Sequence, residues 1–244
     1  MDVFEGKIGL KMTDQSVIMK YMRTPIGKRT AAKVAPRANT ASQQSARAAK
    51  AAARRNAILD AALDEFSARG FAAARLDDVA ERAGVAKGTI YLHFKDKESL
   101  FQDLIRSRMG PVVGTLEAVF AADIPLHALV DQAIEIFVRE VYGTQRKQLV
   151  RLIISEGPRF PAIAEFYYRE VLSRIIKAAR GFLRRALDRG EIADDTLIRF
   201  PQLLGAPAVI AIVWNGLFER FEPLDVRAMM HAHFGRLLAA RRPA

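Results

Sequence analysis

An all-α chain is predicted, with a small N-terminal three-helix unit followed by a larger helical bundle. Three observations carry that expectation. From Pro111 onward apolar residues recur at helical spacing, and no stretch alternates with the period of two that a half-buried strand requires. Between Leu76 and Phe94 two short helical patterns meet at Gly84, a residue that ends a helix in the left-handed conformation without a Cβ clash. Finally, 244 residues, half of them hydrophobic, are enough to bury a sizeable core.

The first 45 residues are set apart from this pattern. They lack helical periodicity, and Thr24-Pro25, Ala35-Pro36 and the polar cluster Asn39–Ser45 read as a disordered extension. Met12, Met19 and Met22 are alternative starts. Charge is uneven as well. Residues 1–55 hold 12 Lys/Arg and 3 Asp/Glu, a net of +9, whereas the other 189 hold 26 and 24, only +2 of the total +11. A basic arm ahead of a folded unit either attracts phosphate or is a solvated tail.

Helix one is expected over Ala48–Arg69, with Ile58, Leu59, Ala62, Leu63 and Phe66 as its buried stripe and Gly70 as its end. Helix two follows over Leu76–Ala83, and the small Ala80 and Ala83 let the next helix cross closely. Helix three covers Lys87–Phe94 and buries Ile90 and Phe94. What remains on it is a set of donors, Lys87, Thr89, Tyr91 and His93, beside Gly88, which lets backbone approach another surface. Two helices joined by a tight Gly-containing turn, with such a second helix, describe a helix-turn-helix that sets a helix in the DNA major groove. Lys87 suits guanine O6 and N7 or a phosphate, and Thr89 a thymine methyl or a phosphate. Tyr91 and His93 suit phosphate oxygens, as do Arg75 at the start of helix two and Lys97 at the first turn of helix four. Arg54 and Arg55 are further candidates for the DNA backbone. Asp96 is the N-cap of helix four and Glu98 favours its positive end. Leu100, Phe101, Leu104, Ile105 and Met109 form its buried side, and Gly110-Pro111 is an expected break or bend.

Residues 54–101 resemble the DNA-binding domain of the tetracycline-repressor-like (TetR/AcrR) transcriptional regulators. The matching string is Gly70-Phe71, Asp78-Val79-Ala80, Ala83-Gly84-Val85, Lys87-Gly88-Thr89-Ile90-Tyr91, His93-Phe94, then Lys97 and Glu98. Ala74 and Ala86 depart from the family, which usually has Thr and often Ser there. Capping is therefore expected to pass to neighbouring residues, and fewer phosphate contacts are expected from those positions. The chain is thus expected to divide into a disordered basic extension over 1–45 and, as the resemblance implies, a DNA-binding domain over 46–97 and a helical effector-binding and dimerisation domain over 98–244.

The body reads as further helices: Leu126–Val141, Gln145–Glu156, a long Ile163–Arg189 ended by Gly190, one from Asp194 or Asp195 to about Phe221, and a last one opened by Pro223 or Asp225. Its longest apolar run, Leu203–Trp214, falls short of the ~20 residues of a membrane span, so no membrane partner is expected. No stretch resembles a secretion signal, and a cytoplasmic protein is expected. There is no cysteine, which excludes disulfides, thiol nucleophiles and thiolate metal sites. His231 and His233 point to different faces, so metal ligation is not expected. Neither glycine-rich phosphate loops nor hydrolase motifs occur, and no cofactor and no catalytic residue is assigned.

On the resemblance, the partners are double-stranded operator DNA, a small and largely apolar effector, and a second copy of the chain. Phe137, Phe160, Phe166, Tyr167, Trp214 and Phe218, with Arg151 as a polar group, are the expected effector pocket, joined by Tyr168, Glu156 and Asn215 as further candidates. Leu217, Phe221, Val226, Met230, Phe234 and Leu237 are the expected dimer interface. The function so implied is that of a ligand-responsive repressor. The rivals are a helical small-molecule-binding protein or enzyme that binds DNA incidentally, and a sequence-indifferent architectural protein.

Overall fold

The computed structural model describes residues 38–239, with side chains from 42 to 238, and every regular element among them is helical. Most of the expected disordered extension over 1–45 lies outside the described residues. Backbone contacts divide the chain after Ala46, and the unit from Arg47 onward holds all that follows.

Helix α1 runs Ala38–Ala73 and so begins ahead of the expected Ala48. Its first part is rich in alanine, the residue with the best helix propensity, and this outweighs the polar cluster that argued for irregular chain. Gly70 interrupts it with φ 73°, ψ 166°, a combination essentially confined to glycine. Helix α2 (Leu76–Arg82) and helix α3 (Lys87–His93) are joined through Gly84 at φ 65°. Neither has a side-chain cap: Arg75 and Ala86 stand at the N-cap positions, and no neighbour takes over the capping. The acidic Asp77 and Asp78 in the first turn of α2 meet the helix dipole instead. Helix α4 (Lys97–Ala121) opens with a complete capping box, the Asp96 carboxylate accepting from the Ser99 amide while Ser99 Oγ accepts from the Asp96 amide. It continues as one helix through Gly110-Pro111, so the expected break is absent. One lost hydrogen bond is tolerated there because Met109, Val112 and Val113 stay buried on the same side.

The body adds α5 (Leu126–Ile136), α6 (Arg146–Glu156), α7 (Pro161–Tyr167), α8 (Ser173–Asp188), the short α9 (Thr196–Arg199), α10 (Gln202–Phe218) and α11 (Val226–Ala239). Two π-helical stretches, Phe137–Tyr142 after α5 and Tyr168–Leu172 between α7 and α8, carry the chain without a break. The expected helix from Asp194 to Phe221 is split at Phe200-Pro201, since proline can only start a helix there.

Two apolar cores result. The first joins α1, α2 and α3 to α4, α6 and α7, through Leu63, Phe66, Phe71, Ile90, Phe101, Leu149 and Phe166 among others. Phe66, Phe71 and Phe101 meet with ring centroids 5.2–5.5 Å apart, and Phe160 adds a fourth ring 4.9 Å from Phe71. The helix-turn-helix is thus not a separate bead, because its core is continuous with that of the body. The second core lies between α4, α5, α8, α10 and α11, around Phe120, Leu129, Ile134, Phe182, Ala211 and Met230.

Candidate functional site

The helix-turn-helix is fixed from behind by charge as well as by packing. Glu65 on α1 is 1% exposed and sits between Arg69 (3.0 Å) and Arg82 of α2 (3.1 Å). A carboxylate buried that deeply is tolerated only with such partners. Arg69 also reaches Asp78, 3.1 Å away. Arg55 pairs with Asp103 of α4 at 2.7 Å and Arg108 with Asp60, so α1 and α4 are clamped at two levels. Arg55, a candidate for the DNA backbone, is therefore occupied within the chain.

With α3 held this way, Ile90 is its one buried residue and the rest faces outward. Lys87, Gly88, Tyr91 and His93 are exposed, Thr89 is half-buried, and Arg75 is exposed at the start of α2. At 100° per residue the direction opposite Ile90 falls between Gly88 and Leu92. Lys87, Thr89, Tyr91 and His93, which alternate along the sequence, flank that line on both sides and do not form a single row. Leu92, which is not among the expected contacts, is 84% exposed at the centre of the edge. It is suited to a thymine methyl. Its neighbour Gly88 has nothing within 4 Å of where a Cβ would stand, so its surroundings are open to an incoming surface. Only a helical phase measured from the buried Ile90 would have picked Leu92 out.

Two of the expected DNA contacts are tied down. Lys87 Nζ donates to Asp77 Oδ2 at 3.0 Å, and Tyr91 OH donates to Asp77 Oδ1 at 3.3 Å. The Lys87 hydrogen bond is the main reason that the Asp77 carboxyl is held below its usual range, and the same contact raises Lys87. Lys97 departs from expectation. Its ammonium donates to the carbonyls of Phe71 (2.9 Å) and Ala72 (2.7 Å) and lies 5.0 Å from the Phe71 ring centroid. It caps the end of α1, where carbonyls lack helical partners, and that engages most of its donors.

The expected effector residues do not line one cavity. Phe160, Phe166 and Tyr167 belong to the first core, and burial pushes the Tyr167 phenol well above its usual range. Phe137 packs on the second core. Trp214 and Phe218 meet edge to face with ring centroids 5.2 Å apart, the Trp214 indole N–H donating to Glu222 O (2.8 Å), and Phe218 is exposed. Asn215 is consumed by Tyr142 OH, Leu224 O and Leu224 N, which pin the α10–α11 connection. Arg151 leans across α10, its guanidinium 2.7 Å from where a Gly216 Cβ would be. Tyr168 instead lines an open cleft of about 360 Å³ along α8 with Ile176, Lys177, Arg180 and Arg184. Glu156, at the end of α6, turns Oε1 toward Gly70 and has Oε2 buried without a hydrogen bond.

The expected interface is divided too. Val226, Met230 and Phe234 are buried in the second core, and Leu237 packs against it. They form the inner side of α11. Leu217 is 62% exposed, in line with Leu203 and Ile210 at seven-residue steps along α10, and Phe221, just past the end of that helix, is 70% exposed.

Among the described residues no three His, Asp or Glu side chains gather as a metal-holding group, and no helix is long and apolar enough to cross a membrane.

Comparison with known proteins agrees with this arrangement. The sequence pattern of bacterial regulatory proteins of the tetR family matches residues 58–104, and that of the AefR-like transcriptional repressor C-terminal domain matches 125–197. The chain is 30% identical over 191 residues to the HTH-type transcriptional regulator SrpR of Pseudomonas putida, covering 78% of this chain and 88% of that protein. It is 37% identical over 155 residues to the HTH-type transcriptional repressor BepR of Brucella suis, covering 60% and 72%. In fold it resembles a triclosan complex of SmeT (TM-score 0.67, 21% identity, 77% of this chain and 91% of that one). SmeT is the repressor of a Stenotrophomonas maltophilia efflux pump. It also resembles FadR of Bacillus subtilis bound to stearoyl-CoA (TM-score 0.63, 20% identity, 76% and 98%). An exposed recognition helix on a braced three-helix unit, backed by an all-helical body and by relatives of this length and identity, has one reading: the chain belongs to the TetR family of DNA-binding transcriptional regulators.

Proposed function

We propose that the protein is a homodimeric repressor that binds operator DNA through α3 and is released by a small, largely apolar effector. The observation that carries this is the outward edge of α3, where only Ile90 is buried, Lys87, Tyr91 and Leu92 are exposed and Thr89 is half-buried. Arg75, Gly88 and His93 complete the proposed surface. Lys97 acts through its hold on the end of α1 rather than as a main phosphate contact.

Pairing of two copies is supported by the exposed apolar line Leu203, Ile210 and Leu217 on α10, with Phe221 just beyond its end. Beside it, Ala228, Ala232 and Gly235 on the outer side of α11 allow a close approach. Two α3 helices then meet half-sites about 34–36 Å apart or a multiple of it. The effector class is argued from relatives whose solved complexes hold triclosan and stearoyl-CoA. Within this chain, the Phe71–Phe160 contact and the Glu156–Gly70 contact join the end of α1 to the α6–α7 region, so a rearrangement there reaches the helix-turn-helix. Moving the population from nearly all bound to nearly all released takes about 5.5 kcal/mol of differential effector affinity. A cytoplasmic location and the absence of catalysis follow from this role.

The test is operator affinity of the triple variant Lys87→Ala, Thr89→Ala, Tyr91→Ala. A loss of at least tenfold is expected on losing ~1–3 kcal/mol per specific contact. Unchanged affinity with a folded variant overturns the assignment of α3.

A further inference from the structure

We propose that Asp77 is a specificity-setting residue: its carboxylate fixes Lys87 and Tyr91 in one arrangement and masks a cation of α3 from sequence-independent phosphate contact. The proposal rests on α3 being the DNA-facing helix.

Asp77 stands in the first turn of α2, across from α3, and uses its two oxygens on two different α3 residues, Lys87 at 3.0 Å and Tyr91 at 3.3 Å. Three candidate phosphate donors, Arg75, Lys87 and Tyr91, all act on this one carboxylate. An acid in that position is costly for a DNA-binding protein, since it repels every phosphate that approaches. The fold does not demand it. Asp78, in the same turn, already serves the α2 dipole and pairs with Arg69, while the Lys87 side chain is 71% exposed and solvent screens its ion pair. What the carboxylate supplies is discrimination. It offsets the Lys87 charge against any duplex equally. It also presents two otherwise rotatable donors in a geometry that only a matching set of acceptors can use, which lowers the ordering cost of the right complex alone.

The experiment uses the full chain and two probes: a duplex enriched from a random pool by the wild-type protein, and a shuffled duplex of the same composition. Affinity for both is measured across salt concentrations for wild type, Asp77→Ala and Asp77→Asn. For Asp77→Ala the log–log salt slope on the shuffled duplex is expected to steepen by about 0.9 per subunit, about eightfold tighter binding per subunit at 0.1 M salt. The enriched duplex gains less because Lys87 and Tyr91 lose their fixed geometry, so the ratio of the two affinities falls. Asp77→Asn keeps an acceptor but no charge, so it should show the steeper slope while regaining part of the ratio. A ratio that is unchanged or rises in Asp77→Ala overturns the proposal, as does an unchanged slope. The single variants Lys87→Ala and Tyr91→Ala separate the two levels. If they leave enriched-duplex affinity intact, α3 is not the reader. If they weaken it while Asp77→Ala changes nothing, α3 stands and only the role of Asp77 fails.

Discussion

Gly70 is where the end of α1 meets the end of α6, and Gly70→Ala tests that junction. Its φ of 73° with ψ of 166° lies in a region essentially reserved for glycine, where another residue costs of order 1–3 kcal/mol. Alanine also restricts the unfolded chain, which returns about 0.4–1 kcal/mol. The added Cβ would sit 3.2 Å from Glu156 Oε1, the far end of a flexible side chain that gives way at little cost. The net expectation is about 1–2 kcal/mol of destabilisation, or ~2–8 °C in Tm for a chain of this size. Urea unfolding of wild type, Gly70→Ala, Glu156→Ala and the double variant, all at one protein concentration, apportions it. Backbone strain predicts that the cost of Gly70→Ala is the same with or without the Glu156 carboxylate. A cost that disappears in the Glu156→Ala background would show that the crowding dominates, and an undiminished Tm in Gly70→Ala would refute the backbone argument altogether. Gly84 supplies the control. At φ 65° with open space around it, it lies in the left-handed region that asparagine also visits, so Gly84→Asn should cost less than Gly84→Ala.

Other outcomes follow from the same contacts. Leu217→Glu with Phe221→Glu puts charge on the exposed line of α10 and should shift sedimentation from dimer to monomer while leaving the helical signal intact; a persisting dimer would place the interface elsewhere. Asp96→Ala removes the capping box of α4 and should cost about 1 kcal/mol in unfolding free energy. The triple α3 variant and the Asp77 variants described above are read by DNA affinity. The Asp77 variants should lower the unfolding midpoint only slightly, through the lost charge at the start of α2, because their ion pair is screened.

Much of this molecule can be read from short stretches of chain. Gly70, Gly84 and Gly190 all take a positive φ where a helix was expected to end, and Asp96 caps α4. These are properties of a few adjacent residues and need no distant partner. The helix-turn-helix was legible for the same reason, as its spacing and turn lie within twenty residues. What only the tertiary structure decided is which side of a helix faces inward and where long charged side chains end. Leu217 and Phe221 carry the same kind of apolar spacing as Val226, Met230 and Phe234, yet the former are exposed and the latter are core. Periodicity reports that a stripe exists, not what covers it. Lys97 reads as a free cation in the sequence, but its ammonium meets the carbonyls of Phe71 and Ala72, about 25 residues earlier in the chain. Asp77 reads as a helix-start acid, and only the crossing of α2 over α3 brings Lys87 and Tyr91 to it. Contacts between elements depend on packing angles that no local pattern encodes, and it is those contacts that sort the candidate residues into surface, brace and core.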